Sequence, residues 1–343
     1  MTAASTLVRD VLLEYGGIVQ EAVKARLERA ARSDAVYGLA ADYPMRGGRA
    51  LRASFCIAAA RAFGAPTSDA VESAVSLELF HNAFLVRDDV EDESEERRGK
   101  PALHLLHGVP TAVNVGDALT VLGLGPLIRN RAILGPELAW RILQEAERMV
   151  RESVEGQALE LRWRFDNALE LTDEDYLRMT LKKTCWYTSI YPCRIGALIG
   201  TRRIGDLDRF VRFGFFVGAA FQIQDDLLNL TGDHARYGKE IDGDLREGKR
   251  TLMLICLLQR AAAGERARLR RILAQPRGEK TDADIRWIRD RMDHHEAIEY
   301  GRRVAHALAG AAQHEFNVAY ADAPDSRDRR FIEALPCWVL ERA

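Results

Sequence analysis

Two short runs of acids carry the spacing that chemistry would need. In "DDVED", Asp88 and Asp92 stand at i and i+4. On a helix this stacks both carboxylates on one face, with Cβ atoms roughly 5–6 Å apart. Like charges held that close repel unless a cation sits between them. Hard oxygen donors at this separation suit Mg²⁺, which takes one or two carboxylates and completes its shell with water and phosphate oxygens. Taken alone, the run reads equally as a solvated acidic helix end. The second run, "FQIQDDLLNLTGD", weighs against that: Asp225 and Asp226 close another apolar helical stretch, with Asn229 and Asp233 following. Two such ends facing each other across a cavity could hold several metal ions around one diphosphate.

The basic residues are placed to match. Arg97 and Arg98 follow the first acid run, Lys239 and Lys249 follow the second, and Lys182 and Lys183 fall in a third helical segment. Arg49 and Arg52 sit in "RGGRALR", where the glycines let backbone approach an anion. Each of these alone reads as a surface cation. Together with two acid runs they fit two polyanionic substrates, one bound through metal and one through direct cation contacts.

Long helices must position these groups. "RILQEAERMVRESVEGQALELRWRF" repeats apolar residues at three- and four-residue steps, and "TDEDYLRMTLKKTCWYTSIYPCRIGALIG" starts with a cap, Thr172, and acids in its first turn. Strand-like alternation is nearly absent, and neither a fixed-period repeat nor a linker divides the chain. The expectation is one all-α domain spanning residues 1–343, its helices packed around a central apolar space. With 49 Lys and Arg against 51 Asp and Glu, there is no global pull toward nucleic acid. The five cysteines are scattered, without a CxxC pair, as reduced thiols in a cytoplasmic protein would be. The N-terminal "MTAASTLVRDVLLEYGG" lacks a signal-peptide pattern. "ALTVLGLGPLI" and "FGFFVGAAF" fall short of the ~18 apolar residues of a membrane span, so a soluble protein without stable membrane insertion is expected.

In this order, "DDVED", "RRGKP", "FQIQDDLLNLTGD" and "GKEIDGDLREGKRTL" resemble the motifs of the trans-prenyl diphosphate synthases, or polyprenyl synthetases, from roughly Gly47 to Thr251. The resemblance implies an isoprenoid synthase fold, a homodimer, and Mg²⁺-dependent head-to-tail condensation of isopentenyl diphosphate with an allylic diphosphate, with three ions per substrate-loaded site. It implies metal ligation by Asp88, Asp92 and Asp225. The allylic diphosphate falls to Arg97, Lys183 and Lys239, and isopentenyl diphosphate to Arg98, Arg49, Arg52 and His81. Gln222 and Thr184 are implied near the reacting carbons, and Lys249 in a flexible loop over the site.

The chain departs from the family pattern in places. "GGRALRA" stands where GGKRLRP is usual, Asn229 stands where aspartate is usual, and Arg87 precedes the first motif where histidine is common. A terpene cyclase would need no second diphosphate site, and a non-catalytic subunit would not need both acid runs. Because the diphosphate is anchored at Asp88, the resemblance implies that chain growth stops against residues further down the same helix. Alanine at position 83 leaves the level five residues back open, so Phe80 is expected as the floor, with Phe84 narrowing the cavity above it. A medium-length product is expected, C20 geranylgeranyl diphosphate, with C15 and C25 as the alternatives.

Overall fold

A computed structural model describes residues 3–31, 34–203, 205–232 and 240–341. Its helices are α1 (Ala3–Ala31), α2 (Ala35–Ala40), α3 (Asp42–Met45), α4 (Leu51–Ala62), α5 (Thr67–Glu91), α6 (Leu103–His107), α7 (Val109–Leu134), α8 (Pro136–Phe165) and α9 (Asp173–Thr180). There follow a π-helical segment (Leu181–Ile190), then α10 (Tyr191–Thr201), α11 (Arg209–Thr231), α12 (Gly243–Glu247) and α13 (Leu252–Arg260). The chain closes with α14 (Ala263–Leu273), α15 (Asp282–His294), α16 (Ala297–Ala319) and α17 (Arg327–Leu340). Among the described residues the only strands are Glu96–Arg97 and Lys100–Pro101, one antiparallel hairpin. The molecule is a single all-α domain, as expected.

Local sequence explains the breaks. Gly135 ends α7 with φ 87 and Pro136 opens α8, a pairing that stops one helix and starts the next. At α9, Thr172 accepts from the Asp175 amide while the Asp175 carboxylate accepts from the Thr172 amide, a reciprocal cap that fixes the entry to the π segment.

Helix α5 packs along α7, α11 along α16, and α10 along α4, while the π segment is wedged between α8 and α11. Small residues permit that wedge. A Cβ on Gly156 of α8 would collide with the Lys183 backbone, and one on Gly218 of α11 would lie 2.8 Å from the Cys185 Cα. The wider turn of a π helix is common at functional sites, and here it carries Lys183, Thr184 and Tyr187 into the space between α5, α8 and α11.

Helix α7 differs from expectation. It runs unbroken through Pro126, so it is long and apolar enough, by length and composition, to cross a bilayer. Its buried face, including Val115, Leu119 and Leu127, lies within the core.

Candidate active site

One cavity of ≈ 480 Å³ opens between α5, α8, the π segment and α11. Both acid-rich helix ends reach it. From α5 come His81, Phe84, Leu85, Arg87, Asp88 and Glu91; from α11 come Phe221, Gln222, Asp225 and Asp226.

At the first end the three aspartates point in three directions. Asp88 lines the cavity, 3.2 Å from Lys183 Nζ and 3.6 Å from Arg97 Nη2. Asp89 is fully buried on the other side, where it accepts a bidentate bond from Arg97 and one of 2.6 Å from the Tyr43 hydroxyl. Asp92 caps α5 and is also fully buried, paired with Arg164 and with Lys249 Nζ at 2.6 Å. Burial lifts the Asp92 pKa above the usual carboxylate range against the pull of Lys249. The expected i, i+4 pair is therefore split: Asp88 faces the cavity, and Asp92 is not among its lining residues. The cause is tertiary: two cations, Arg164 of α8 and Lys249 after α12, draw Asp92 inward.

The hairpin after α5 supplies the next two cations. Arg97 is buried, and although burial opposes its charge, Asp89 raises its pKa further. Arg98 donates 2.9 Å to the Tyr43 carbonyl; burial lowers its pKa and the buried Glu78 opposes that. Beside it Arg52 donates to Tyr187 Oη (3.0 Å) and Thr188 Oγ1 (3.2 Å), lies 3.4 Å from His81 Nε2, and stacks 4.4 Å over the Tyr187 ring. Arg98, Arg52 and His81 lie together along the cavity, and Arg49 does not join them. Arg49 is exposed and outside the cavity lining, its guanidinium 5.7 Å over Trp338 of α17.

At the second end, Asp226 is held by neutral partners. Thr184 Oγ1 donates to Gln222 Oε1 (2.7 Å), Gln222 Nε2 donates to Asp226 Oδ1 (2.7 Å), and the Tyr176 hydroxyl donates to Asp226 Oδ2 (2.8 Å). Burial, then the nearby charge of Asp244, pushes the Asp226 pKa well above the usual range. Asn229 is no ligand here. Its amide bonds the Glu240 carbonyl and the Asp244 amide, holding the chain as it returns to the cavity. Lys239 and Asp233 lie outside the described residues. Lys249 reaches the cavity wall pinned by Asp92, by Glu247 at 2.8 Å and by Asp244 at 3.6 Å. Burial opposes its charge, but these acids raise its pKa well above normal. Lys183 is raised likewise, by Asp88 and Glu160 against burial.

Sequence reasoning missed several groups. Asp244, Glu160, Tyr176 and Tyr187 all line the cavity, and Arg164 holds Asp92. Only Asp244 left a trace, as the acid five residues before Lys249 in a loop already singled out. Lys182 turns away to Glu152 and Glu155. Arg87 lines the cavity while pairing with Asp117, its stem lying over Gly116 of α7.

Of the residues expected to stop growth, only Phe84 lines the cavity. Phe80 packs into the α5–α7 interface, where a Cβ on Gly123 would meet its ring at 3.3 Å, and neither it nor the fully buried Ala83 lines the cavity. Phe84 does, with its ring edge-on to Tyr187 at 5.6 Å. The small glycines of α7 let the helices close over the deeper level.

The donors fit Mg²⁺. Asp88, Asp225 and Asp244 present carboxylates to one cavity from three elements. Among the described residues no three acidic, His or Cys side chains close on a single point. A cation sharing one or two carboxylates with phosphate oxygens needs no tighter protein cage.

Residues 34–292 match the sequence pattern of the Polyprenyl synthetase family. The chain is 31% identical to the short chain isoprenyl diphosphate synthase of Methanothermobacter thermautotrophicus over 98% of both chains. It is 28% identical to the geranylfarnesyl diphosphate synthase of Natronomonas pharaonis over the full length of both. The crystal structure of geranylgeranyl pyrophosphate synthetase from Pyrococcus horikoshii superimposes with a TM-score of 0.85 at 29% identity, covering 98% of this chain and 99% of that one. The chain belongs to the polyprenyl synthetase family. It is a trans-prenyltransferase, an isoprenyl diphosphate synthase, and enzymes of this family use isopentenyl and allylic diphosphates with Mg²⁺.

Proposed function

We propose that this enzyme joins isopentenyl diphosphate head-to-tail to an allylic diphosphate and releases a C20 all-trans product. One observation carries the reading. A single cavity sets carboxylates and cations from two helix ends at one side, a second group of cations beside them, and an apolar wall of Phe84, Leu85, Val154, Leu161 and Phe221.

In this reading Arg97, Lys183 and Lys249, with Lys239, hold the allylic diphosphate, and Arg98, Arg52 and His81 hold isopentenyl diphosphate. Asp88 and Asp225, with Asp92 if it is released from Arg164 and Lys249, would hold Mg²⁺, which would supply positive charge against the negative charge growing on the leaving group. The allylic C–O bond breaks with its electron pair going to the diphosphate, whose oxygens accept hydrogen bonds from Lys183 and Arg97. The apolar wall keeps water from the allylic cation, and the Gln222 and Thr184 oxygens offer it dipoles. The double bond of isopentenyl diphosphate attacks, forming the new C–C bond, and the released diphosphate takes the proton that restores the alkene. Three ions per loaded site are proposed from the family resemblance.

The C20 product rests on the Phe84–Tyr187 wall and on similarity to a geranylgeranyl synthetase. A homodimer is proposed because Val113, Val121, Leu124 and Ile128 leave an exposed apolar stripe along α7, which a second copy would cover. A cytoplasmic location fits the unpaired thiols, four of them buried. The test is incubation of labelled isopentenyl diphosphate with each allylic primer, with Mg²⁺ and with EDTA, followed by chain-length analysis. Mg²⁺-dependent incorporation ending at C20 is expected. Hydrocarbon release from an allylic diphosphate alone would overturn the reading in favour of a cyclase.

A further inference from the structure

The two arginines assigned to the substrates stand on a fragile element. Their hairpin has two residues per strand, Glu96–Arg97 against Lys100–Pro101. Its turn places Arg98 at φ 54 and Gly99 at φ 71. A two-residue turn of this kind favours glycine or asparagine at both positions, and arginine in the left-handed region costs about 1–2 kcal/mol. A lone two-stranded hairpin is at best marginally stable in water. Something outside the hairpin must hold it.

Arg46, the residue after α3, is placed to do so. Its side chain is 1% exposed and does not line the cavity. The guanidinium reaches both strands: Nη1 donates to the Arg97 carbonyl (2.9 Å) and the Lys100 carbonyl (3.3 Å), and Nη2 donates to the Pro101 carbonyl (2.9 Å). Nε is anchored to Asp42 at 2.6 Å, and the plane lies 4.5 Å over the Tyr43 ring. The same α3 turn finishes the clamp. Tyr43 gives its hydroxyl proton to Asp89, the partner of Arg97, and its carbonyl accepts from Arg98. The hydroxyl also accepts from the Leu103 amide just beyond the hairpin. Only a planar fork with several donors bridges three carbonyls on two strands; an ammonium on a flexible stem does not.

We propose that Arg46 is a positioning residue for both diphosphate subsites, acting through the Glu96–Pro101 hairpin. The inference rests on the assignment of Arg97 and Arg98 to the two diphosphates. Apparent KM values for both substrates, Tm and backbone hydrogen exchange are to be compared in R46A, R46K, R97A, R98A and the double variant R46A/R98A. R97A should raise the allylic KM and R98A the isopentenyl diphosphate KM. R46A should raise both by about tenfold, with kcat falling less. R46K keeps the charge and covers the case in which R46A does not fold; it should recover only part of the loss. Exchange at the amides of residues 96–100 and 102 should quicken in both Arg46 variants while that of α5 stays slow. In the double variant, R46A should add nothing to the isopentenyl diphosphate KM of R98A, a coupling that general destabilisation would not produce. Wild-type KM values in both Arg46 variants, with R97A and R98A still shifted, overturn the inference alone, as do multiplicative effects in the double variant. Unchanged KM values in R97A and R98A overturn the substrate assignment and the inference with it.

Discussion

The two acid-rich helix ends begin with the same dipeptide, and their buried aspartates are held by different kinds of partner. At the end of α5 every aspartate meets a cation: Asp88 meets Lys183, Asp89 meets Arg97, and Asp92 meets Arg164 and Lys249. At the end of α11, Asp226 meets a phenol and an amide. Buried charge is tolerable only when paired and hydrogen-bonded. The first end satisfies this with counter-ions. At the second, Asp226 accepts from two neutral donors, and burial raises its pKa. A DD pair is thus no unit of function, and what each carboxylate does depends on what packs against it.

The largest effects should separate residues facing the cavity from those turned away. Asp88→Ala and Asp225→Ala should each lower kcat roughly 10²–10³-fold, measured as isopentenyl diphosphate incorporation at saturating Mg²⁺. Wild-type turnover in either would remove that residue from the chemistry.

Stability then tests the contrast itself. Asp89→Asn strips the buried Arg97 of its counter-charge and should cost about 3–5 kcal/mol. Asp226→Asn exchanges one neutral hydrogen bond and should cost about 1 kcal/mol. Urea melts in EDTA read both values, and equal losses would break the distinction between the two ends.

Product length sharpens the description of α5. Phe84→Ala should lengthen the product by about one isoprene unit, because its ring meets Tyr187 in the cavity wall. Phe80→Ala should leave the product unchanged while lowering stability by about 3–5 kcal/mol. A longer product from Phe80→Ala would restore the deeper floor.

A further, pH-dependent effect follows from the cations gathered behind the first end. Burial, then Arg164, Arg250 and Arg277, brings the Lys280 pKa down to about 8. Because the folded value lies below that of the unfolded chain, the unfolded state holds more protons between pH 8 and 10.5. Stability should therefore rise with pH across that window, and the gain is lost as pH falls back through about 8. The gain is at most roughly 3 kcal/mol. Lys280→Met should flatten that slope in melts from pH 7 to 11, and an unchanged slope would place its origin elsewhere.

The periodic helices and the inventory of acids and bases could be read without a structure, because helical spacing and residue type are local. Arg49 and Asn229 show where that reading stopped. A cation next to two glycines looks like a substrate contact, yet Trp338, nearly three hundred residues later, lies beneath it. Asn229 occupies a motif position, yet it bonds Glu240 and Asp244, chain that returns only in the folded molecule. Phe80 and Phe84 share one helix four residues apart, and only the packing of α7 against α5 decides which of them sees the cavity.

By itself, the sequence determined an all-α chain with two aspartate-rich helix ends, an arginine pair between them and the motif order of a prenyl synthase. Those properties are written in spacing and residue type, which survive without tertiary context. Only the tertiary structure decided which aspartate of the first run faces the cavity, that Arg46 staples the arginine hairpin, and that a π segment brings Lys183 to Asp88. Each of those depends on which distant side chain fills the space opposite, and burial and charge compensation exist only once that neighbour is in place.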